Sequence, residues 1–159
     1  ERFIGKIKKK LNLVQVDYKK FLGLHSFMLF FDKKNSLKVD FNYYPFSRIE
    51  KGIKYKNIAV DSIYDIAVNK IHTISMKARA RDFIDIYFII KEKKYTLGNL
   101  LIDAKAKFDW HIDPIQLGTQ LMKATEVKDY PRMLKKIDDR EWKNFFVEEA
   151  RKLKKDIFK

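Results

Sequence analysis

Two neighbouring segments of the chain place charged residues where apolar ones are expected. Apolar residues recur at helical spacing through residues 63–74, and Lys70 falls on the same face of that predicted helix. A lysine there must extend its ammonium group to the edge of the core or meet an anion, because an unpaired buried charge is unfavourable. The next predicted helix is apolar over residues 83–90 except for Asp85, which shares one helical face with Asp82. These positions are candidates for a polar site.

The cations and carboxylates of these segments could form a phosphate-binding site. Lys70, Arg79 and Arg81 could bind a triphosphate, because Lys and Arg make charge-assisted hydrogen bonds to phosphate oxygens. Asp82 and Asp85 would then orient the cations or a substrate hydroxyl. A structural network of salt bridges, with Asp82 as a first-turn acid favoured by the helix dipole, explains the same residues. The sequence is compatible with both interpretations.

Strands precede helices in the predicted order of elements. Alternating and β-branched residues predict strands at residues 12–18, 25–31, 37–44 and 55–60. In the third of these strands Asp40 lies on the face opposite to Val39, and that face is free for chemistry. Helix starts are predicted near Ser62, Ala80 or Arg81, Thr96, Asp113 and Asp139.

This order predicts an α+β fold, in which a small antiparallel or mixed sheet precedes a C-terminal helical bundle. We place the sheet region in residues 1–60 and the helical domain in residues 61–159. The last helix, predicted over residues 141–158, has an apolar side that includes Trp142 and Phe146. We expect this side to dock on the core of the helical domain.

The composition limits the partners and the compartment. The 159 residues include no Cys, which excludes disulfides and thiolate zinc sites. No apolar run approaches the roughly 20 residues that a membrane span needs, so we expect no membrane partner and a cytoplasmic location. The formal charge of +14 favours a polyanionic partner, and a Lys-rich solvated surface explains it equally well.

Several short stretches of the chain form a recognisable set. D-I-A-V-N-K-I at residues 65–71 is followed by Arg79 and then by R-D-F-I-D-I-Y-F-I-I at residues 81–90. Earlier in the chain come K-V-D-F at residues 38–41 and Y-P-F at residues 44–46, which fit a strand and its exit. Together these stretches resemble the AbiEii/AbiGii toxin-like family of nucleotidyltransferases.

The resemblance implies a polymerase-β-like nucleotidyltransferase fold and a toxin of a toxin–antitoxin or phage-defence system. Such a toxin would transfer a nucleotidyl group from a nucleoside triphosphate (NTP) to an acceptor, with RNA as the expected acceptor, Mg²⁺ as cofactor and a cognate antitoxin as protein partner. By resemblance, Asp40 would be a catalytic strand carboxylate that binds metal, and Lys70 a catalytic triphosphate ligand. Asp82 and Asp85 would be further catalytic residues. The implied nucleotide-binding set consists of Lys70, Arg79 and Arg81.

One part of the family pattern does not occur in the sequence. There is no G-S segment followed by a D-x-D pair, since Asp17 stands alone and Asp138 and Asp139 are adjacent. Two-metal transfer needs several carboxylates around ions about 4 Å apart, and Asp40 alone cannot supply them. Because an amphipathic pattern follows Glu1 directly, we expect the missing motif upstream; the full-length protein would then be an enzyme and this fragment inactive. The alternative is a non-catalytic basic domain that binds RNA or protein.

Overall fold

A computed structural model describes residues 2–111 and 113–157, and the protein is α+β, as predicted. Its contacts form two compact units, one up to Pro45 and one from Phe46 onward. The first unit carries a three-stranded sheet, and the second carries a small hairpin and a helical core. The predicted sheet region and the predicted helical bundle are therefore both present.

The first unit packs a helix on an antiparallel sheet. The helix is α1 (Arg2–Lys10), and the strands are β1 (Gln15–Phe21), β2 (Leu24–Phe30) and β3 (Ser36–Phe41). The order of strands across the sheet follows the chain. The buried core of this unit consists of Leu13, Phe27 and Leu29, and Ile4, Ile7, Val16 and Val39 pack against it.

Residues with positive φ set the bounds of β1. Asn12 has a φ of 50°, and the Leu13 amide donates to the Lys8 carbonyl at 3.0 Å, which closes the end of α1. For this reason β1 begins later than the predicted start at residue 12. At its other end, Leu22 and Gly23 have φ values of 42° and 83° and form a two-residue turn into β2.

The second unit begins with a hairpin and continues with α-helices. The hairpin joins β4 (Lys54–Tyr55) to β5 (Ile58–Ala59). The helices are α2 (Ile63–Met76), α3 (Ala80–Lys93), α4 (Leu97–Phe108), α5 (Pro114–Met122) and α6 (Asp139–Ile157), with a 3-10 turn at Lys123–Thr125 after α5. The prediction of a single strand over residues 55–60 is wrong, because Lys56 adopts a φ of 52° and the chain reverses there.

Side-chain caps explain three of the helix starts that the sequence predicts. The Ser62 hydroxyl accepts a hydrogen bond from the Asp65 amide at the start of α2, and Thr96 caps α4 in the same way. Asp113 accepts from two backbone amides at the start of α5. The predicted starts near residues 80 and 139 also agree with the bounds of α3 and α6.

Aromatic residues form the centre of the second unit. Phe83 of α3 packs edge-on against Phe146 of α6, with ring centroids 4.7 Å apart, and Trp142 is fully buried beside Phe83. Docking of the last helix on the core is therefore confirmed; its predicted last residue, Phe158, lies outside the described residues. In the described ranges no helix is long and apolar enough to cross a membrane.

The segment that precedes α2 belongs to the helical unit. Asp65 of α2 accepts hydrogen bonds from the backbone amides of Ile49 and Glu50, both at 2.9 Å. The boundary between the two compact units therefore follows Pro45, earlier in the chain than the predicted boundary after residue 60. The division of the chain into functional domains at residues 1–60 and 61–159 stays a prediction.

Candidate functional site

A carboxylate at the start of α3 holds cations from two directions. Lys70 of α2 donates from Nζ to Asp82 Oδ1 at 2.9 Å, and Arg79 donates from Nε to Asp82 Oδ2 at 2.7 Å. The Lys70 ammonium also pairs with Asp85 Oδ2 at 2.6 Å. We call Lys70, Arg79, Asp82 and Asp85 the α2–α3 cluster. The structure thus brings together four of the site residues that the sequence predicts.

The members of the α2–α3 cluster differ in exposure. The Asp82 side chain is 3% exposed, that of Lys70 22% and that of Asp85 49%. Because Asp82 is buried and both its oxygens accept from cations, it holds Lys70 and Arg79 in fixed positions. Asp85, in contrast, pairs with Lys70 while half of its side chain stays in contact with solvent.

The α2–α3 cluster has hydrogen-bond donors left over. An ammonium group has three N–H donors, and Lys70 donates one of them to Asp82 and forms an ion pair with Asp85. A guanidinium group has five, and Arg79 uses its Nε–H. Nothing in the part of the chain that the structure describes accepts from the remaining donors. They can therefore meet an external anion, even though the four formal charges cancel.

The start of α3 is built so that Asp82 faces these cations. Arg79 occupies the N-cap position in an extended conformation, with φ −138° and ψ 143°, and its side chain makes no cap bond to a described residue. The Ala80 amide is bound instead by the Asp129 carboxylate at 2.8 Å. Asp82 then lies in the first helical turn, where the helix dipole favours negative charge.

Arg81 lies outside the α2–α3 cluster. Its side chain is exposed and makes no hydrogen bond or ion pair with any residue in the described ranges. The predicted role of Arg81 in nucleotide binding stays a prediction.

Asp40 lies in the first unit, on β3, where the Lys38 ammonium pairs with it at 2.9 Å. A hydrogen bond with the Ser26 side chain, followed by the interaction with Lys38, holds the pKa of Asp40 below its ordinary value. Among the described residues there is no group of three or more His, Cys, Asp or Glu side chains that could hold a metal ion. By themselves these residues do not fit a metal site, and the predicted role of Asp40 stays a prediction.

Sequence reasoning missed a buried ion pair that joins α2 to α4. Lys107 Nζ lies 2.7 Å from Asp65 Oδ1, and the two side chains are 2% and 0% exposed. Burial raises the pKa of Asp65, but hydrogen bonds from Lys107 and from the Ile49 and Glu50 amides outweigh it and lower the pKa to about 2. The Asp65 amide also donates to the Ser62 hydroxyl at 2.9 Å, which agrees with the predicted helix start near Ser62. The partner in α4 is 42 residues away, so local spacing could not reveal it.

The fold and the α2–α3 cluster define the class of protein. It is an α+β protein in which Lys70 of α2 and Arg79 at the start of α3 present donors suited to phosphate. Residues 26–155 match the family described as nucleotidyl transferase AbiEii toxin, type IV TA system. The chain belongs to this family of nucleotidyltransferase-like toxins of type IV toxin–antitoxin systems, which confirms the resemblance seen in the sequence. No curated protein and no solved structure shows a significant match to the chain.

Proposed function

We propose that the protein transfers a nucleotidyl group from an NTP to RNA, as the toxin of a toxin–antitoxin or phage-defence system. An acceptor hydroxyl would lose its proton to water and bond to the α-phosphorus, the bond from that phosphorus to the oxygen bridging it to the β-phosphorus would break, and pyrophosphate would leave. The observation that carries the proposal is that buried Asp82 holds Lys70 and Arg79 with donors left over. A cytoplasmic location and a cognate antitoxin belong to the same proposal, which family membership supports.

Each member of the α2–α3 cluster has a distinct role in this proposal. Lys70 and Arg79 bind the triphosphate through their remaining donors, and because Asp82 already fixes them, little reorganisation is needed when the nucleotide arrives. Asp82 is therefore a positioning residue. Asp85 orients Lys70 and accepts a hydrogen bond from a substrate hydroxyl. Arg81, exposed and next to Asp82 in sequence, adds positive charge for the phosphates.

Mg²⁺ enters the proposal through the family alone. When bound, it would neutralise charge that develops on the phosphates during transfer. The resemblance assigns Asp40 of this sequence to such a metal site. The proposed contacts of Lys70 and Arg79 with phosphate do not depend on the metal.

Labelled nucleotides test the reaction. The full-length protein is incubated with RNA, Mg²⁺ and each common NTP, labelled on either the α- or the γ-phosphate. We expect the α label on RNA and the γ label in released pyrophosphate. Transfer of the γ label would indicate a kinase instead, label on protein would show a protein acceptor, and no transfer from any NTP would contradict the proposal.

The cancellation of charge within the α2–α3 cluster favours a second function. Lys70 and Arg79 already pair with carboxylates, as they would in a purely structural network. On this alternative the protein is a non-catalytic basic domain, and its charge of +14 serves to bind RNA or a partner protein. RNA affinity that falls steeply with salt, together with no NTP binding, would support this alternative.

A further inference from the structure

A groove of about 320 Å³ lies beside the α2–α3 cluster, within the same unit. α3 lines the groove with Asp85, Phe88 and Glu92, and residues 131–135 form the opposite wall. Asp85 belongs both to the groove and to the cluster, so the two are continuous. The volume is near the lower end of the range of small-molecule pockets, about 300–1,000 Å³.

The wall formed by residues 131–135 is attached to α3 near both of its ends. Before it, Asp129 accepts a hydrogen bond from the Ala80 amide at 2.8 Å. At its far end, Lys135 Nζ donates to Glu92 Oε1 at 2.7 Å and lies 5.8 Å from the centroid of the Phe88 ring. These attachments give the wall a defined position along the helix.

Arg132 and Leu134 lie between these attachments, and both are exposed. Arg132 makes no hydrogen bond or ion pair with any residue that the structure describes, and Leu134 is 94% exposed. Phe88 lines the opposite side of the groove, where the Lys135 ammonium lies over its ring. A guanidinium group, an apolar side chain and an aromatic ring around one groove are suited to a nucleobase, which offers π-faces and hydrogen-bond acceptors.

The order of residues along α3 matches the order of the parts of a nucleotide. Asp82 lies at the proposed phosphate site, Asp85 follows, and Phe88 lies in the groove. With the helical rise of 1.5 Å per residue, Phe88 is about 9 Å further along the axis than Asp82. We propose that the groove binds the nucleoside part of the NTP whose phosphates lie at Lys70. This inference rests on the function proposed above.

Each part of the nucleoside has a counterpart in the groove. Asp85 Oδ2 pairs with Lys70, and its Oδ1, to which no described residue donates, accepts a hydrogen bond from a ribose hydroxyl. The base packs between Phe88 and Leu134. Arg132 donates to acceptor atoms of the base.

The affinities of the full-length protein for NTP and for inorganic tripolyphosphate distinguish binding in the groove from binding at the phosphate site. Phe88→Leu keeps an apolar side chain but removes the aromatic ring, and Arg132→Ala shortens an exposed side chain. Because stacking on an aromatic residue is worth about 1–3 kcal/mol per base, we expect at least about fivefold weaker NTP binding for Phe88→Leu. A hydrogen bond from a charged donor is worth about 1.5–3 kcal/mol, so we expect about tenfold weaker NTP binding or more for Arg132→Ala. Tripolyphosphate affinity should not change. Arg140→Ala, exposed on α6, is the matched control for Arg132→Ala.

The outcomes distinguish failure of the groove from failure of the proposed function. Unchanged NTP affinity in both groove variants, or equal losses for NTP and tripolyphosphate, would overturn the nucleoside assignment. Loss of RNA binding with intact NTP affinity would assign the groove to the acceptor and overturn it as well. Lys70→Met should weaken both ligands; if it weakens neither, the phosphate site of the proposed function fails, whatever the groove variants show. A wild-type protein that binds no NTP overturns both.

Discussion

The Asp65 carboxylate is surrounded by donors, which are the Lys107 ammonium, the Ile49 and Glu50 amides and the Ser62 hydroxyl. Both charges are withdrawn from water, so the ion pair is tolerated only because these hydrogen bonds compensate the lost hydration. The contacts connect α2, α4 and the segment before α2. Removing either charge would leave the other buried and uncompensated.

Replacing Lys107 should therefore destabilise the fold strongly. We expect Lys107→Met to lower the free energy of unfolding by about 3 kcal/mol or more, because Asp65 would remain buried without its cation. Lys105→Met, at an exposed position of the same helix, is the control and should change it by less than about 0.5 kcal/mol. Urea denaturation measures both. A similar small change in the two variants would contradict the importance of the buried pair.

The lowered pKa of Asp65 predicts a specific dependence of stability on pH. A carboxyl whose pKa falls from 3.8 to about 2 on folding stabilises the protein above the unfolded value and loses that contribution as pH falls toward 2. The contribution at neutral pH is about 2 kcal/mol. Asp65→Asn removes this contribution, so the difference in unfolding free energy between wild type and variant should shrink between pH 5 and pH 2. The size of this change should correspond to the titration of about one carboxyl group. A constant difference across this range would refute the assignment.

The two carboxylates of the α2–α3 cluster should respond differently to neutralisation. Asp82→Asn leaves Lys70 and Arg79 without their buried partner and should lower the unfolding free energy by about 3 kcal/mol. Asp85→Asn, at a half-exposed position, should lower it by less than about 1 kcal/mol. Chemical denaturation of the matched pair measures both. Equal losses would show that Asp82 has no special positioning role.

At the scale of elements, Gly52 is needed before the small hairpin. A Cβ at this position would lie 1.8 Å from the Val60 carbonyl oxygen, so the backbone would have to move. We expect Gly52→Ala to lower the unfolding free energy by about 2 kcal/mol or more. Gly118→Ala in α5, where a Cβ meets nothing within 4 Å, should raise it by up to about 1 kcal/mol. Thermal melting that moves both variants in the same direction would contradict this.

Local sequence signals predicted the elements where a cap or a turn residue was sufficient. Ser62, Thr96 and Asp113 cap the helices that they were expected to start. The hairpin of β4 and β5 escaped prediction because it turns at Lys56, a non-glycine residue with positive φ. The Asp129 cap of α3 escaped because the residue it binds is 49 positions away in the chain.

At the scale of the whole molecule, the sequence predicted the α+β class, the family and the composition of the α2–α3 cluster. Lys70 stood out because it interrupts an apolar face, and its partners Asp82 and Asp85 because they interrupt another. The groove could not be predicted, since residues 131–135 join α3 only through tertiary contacts. Net charge of +14 favours a polyanionic partner without locating its binding surface.

Transfer of α-labelled nucleotide to RNA by matched lysine variants tests the central claim most directly. Lys70→Met removes the ammonium held by Asp82, whereas Lys77→Met removes an exposed one just beyond α2. Melting curves of both variants serve as the control for folding. Removal of a pre-organised donor typically lowers turnover by about a hundredfold or more, and we expect such a loss for Lys70→Met only. Wild-type transfer by a folded Lys70→Met variant, or equal losses in the two variants, would contradict the assignment of the α2–α3 cluster as the nucleotide site.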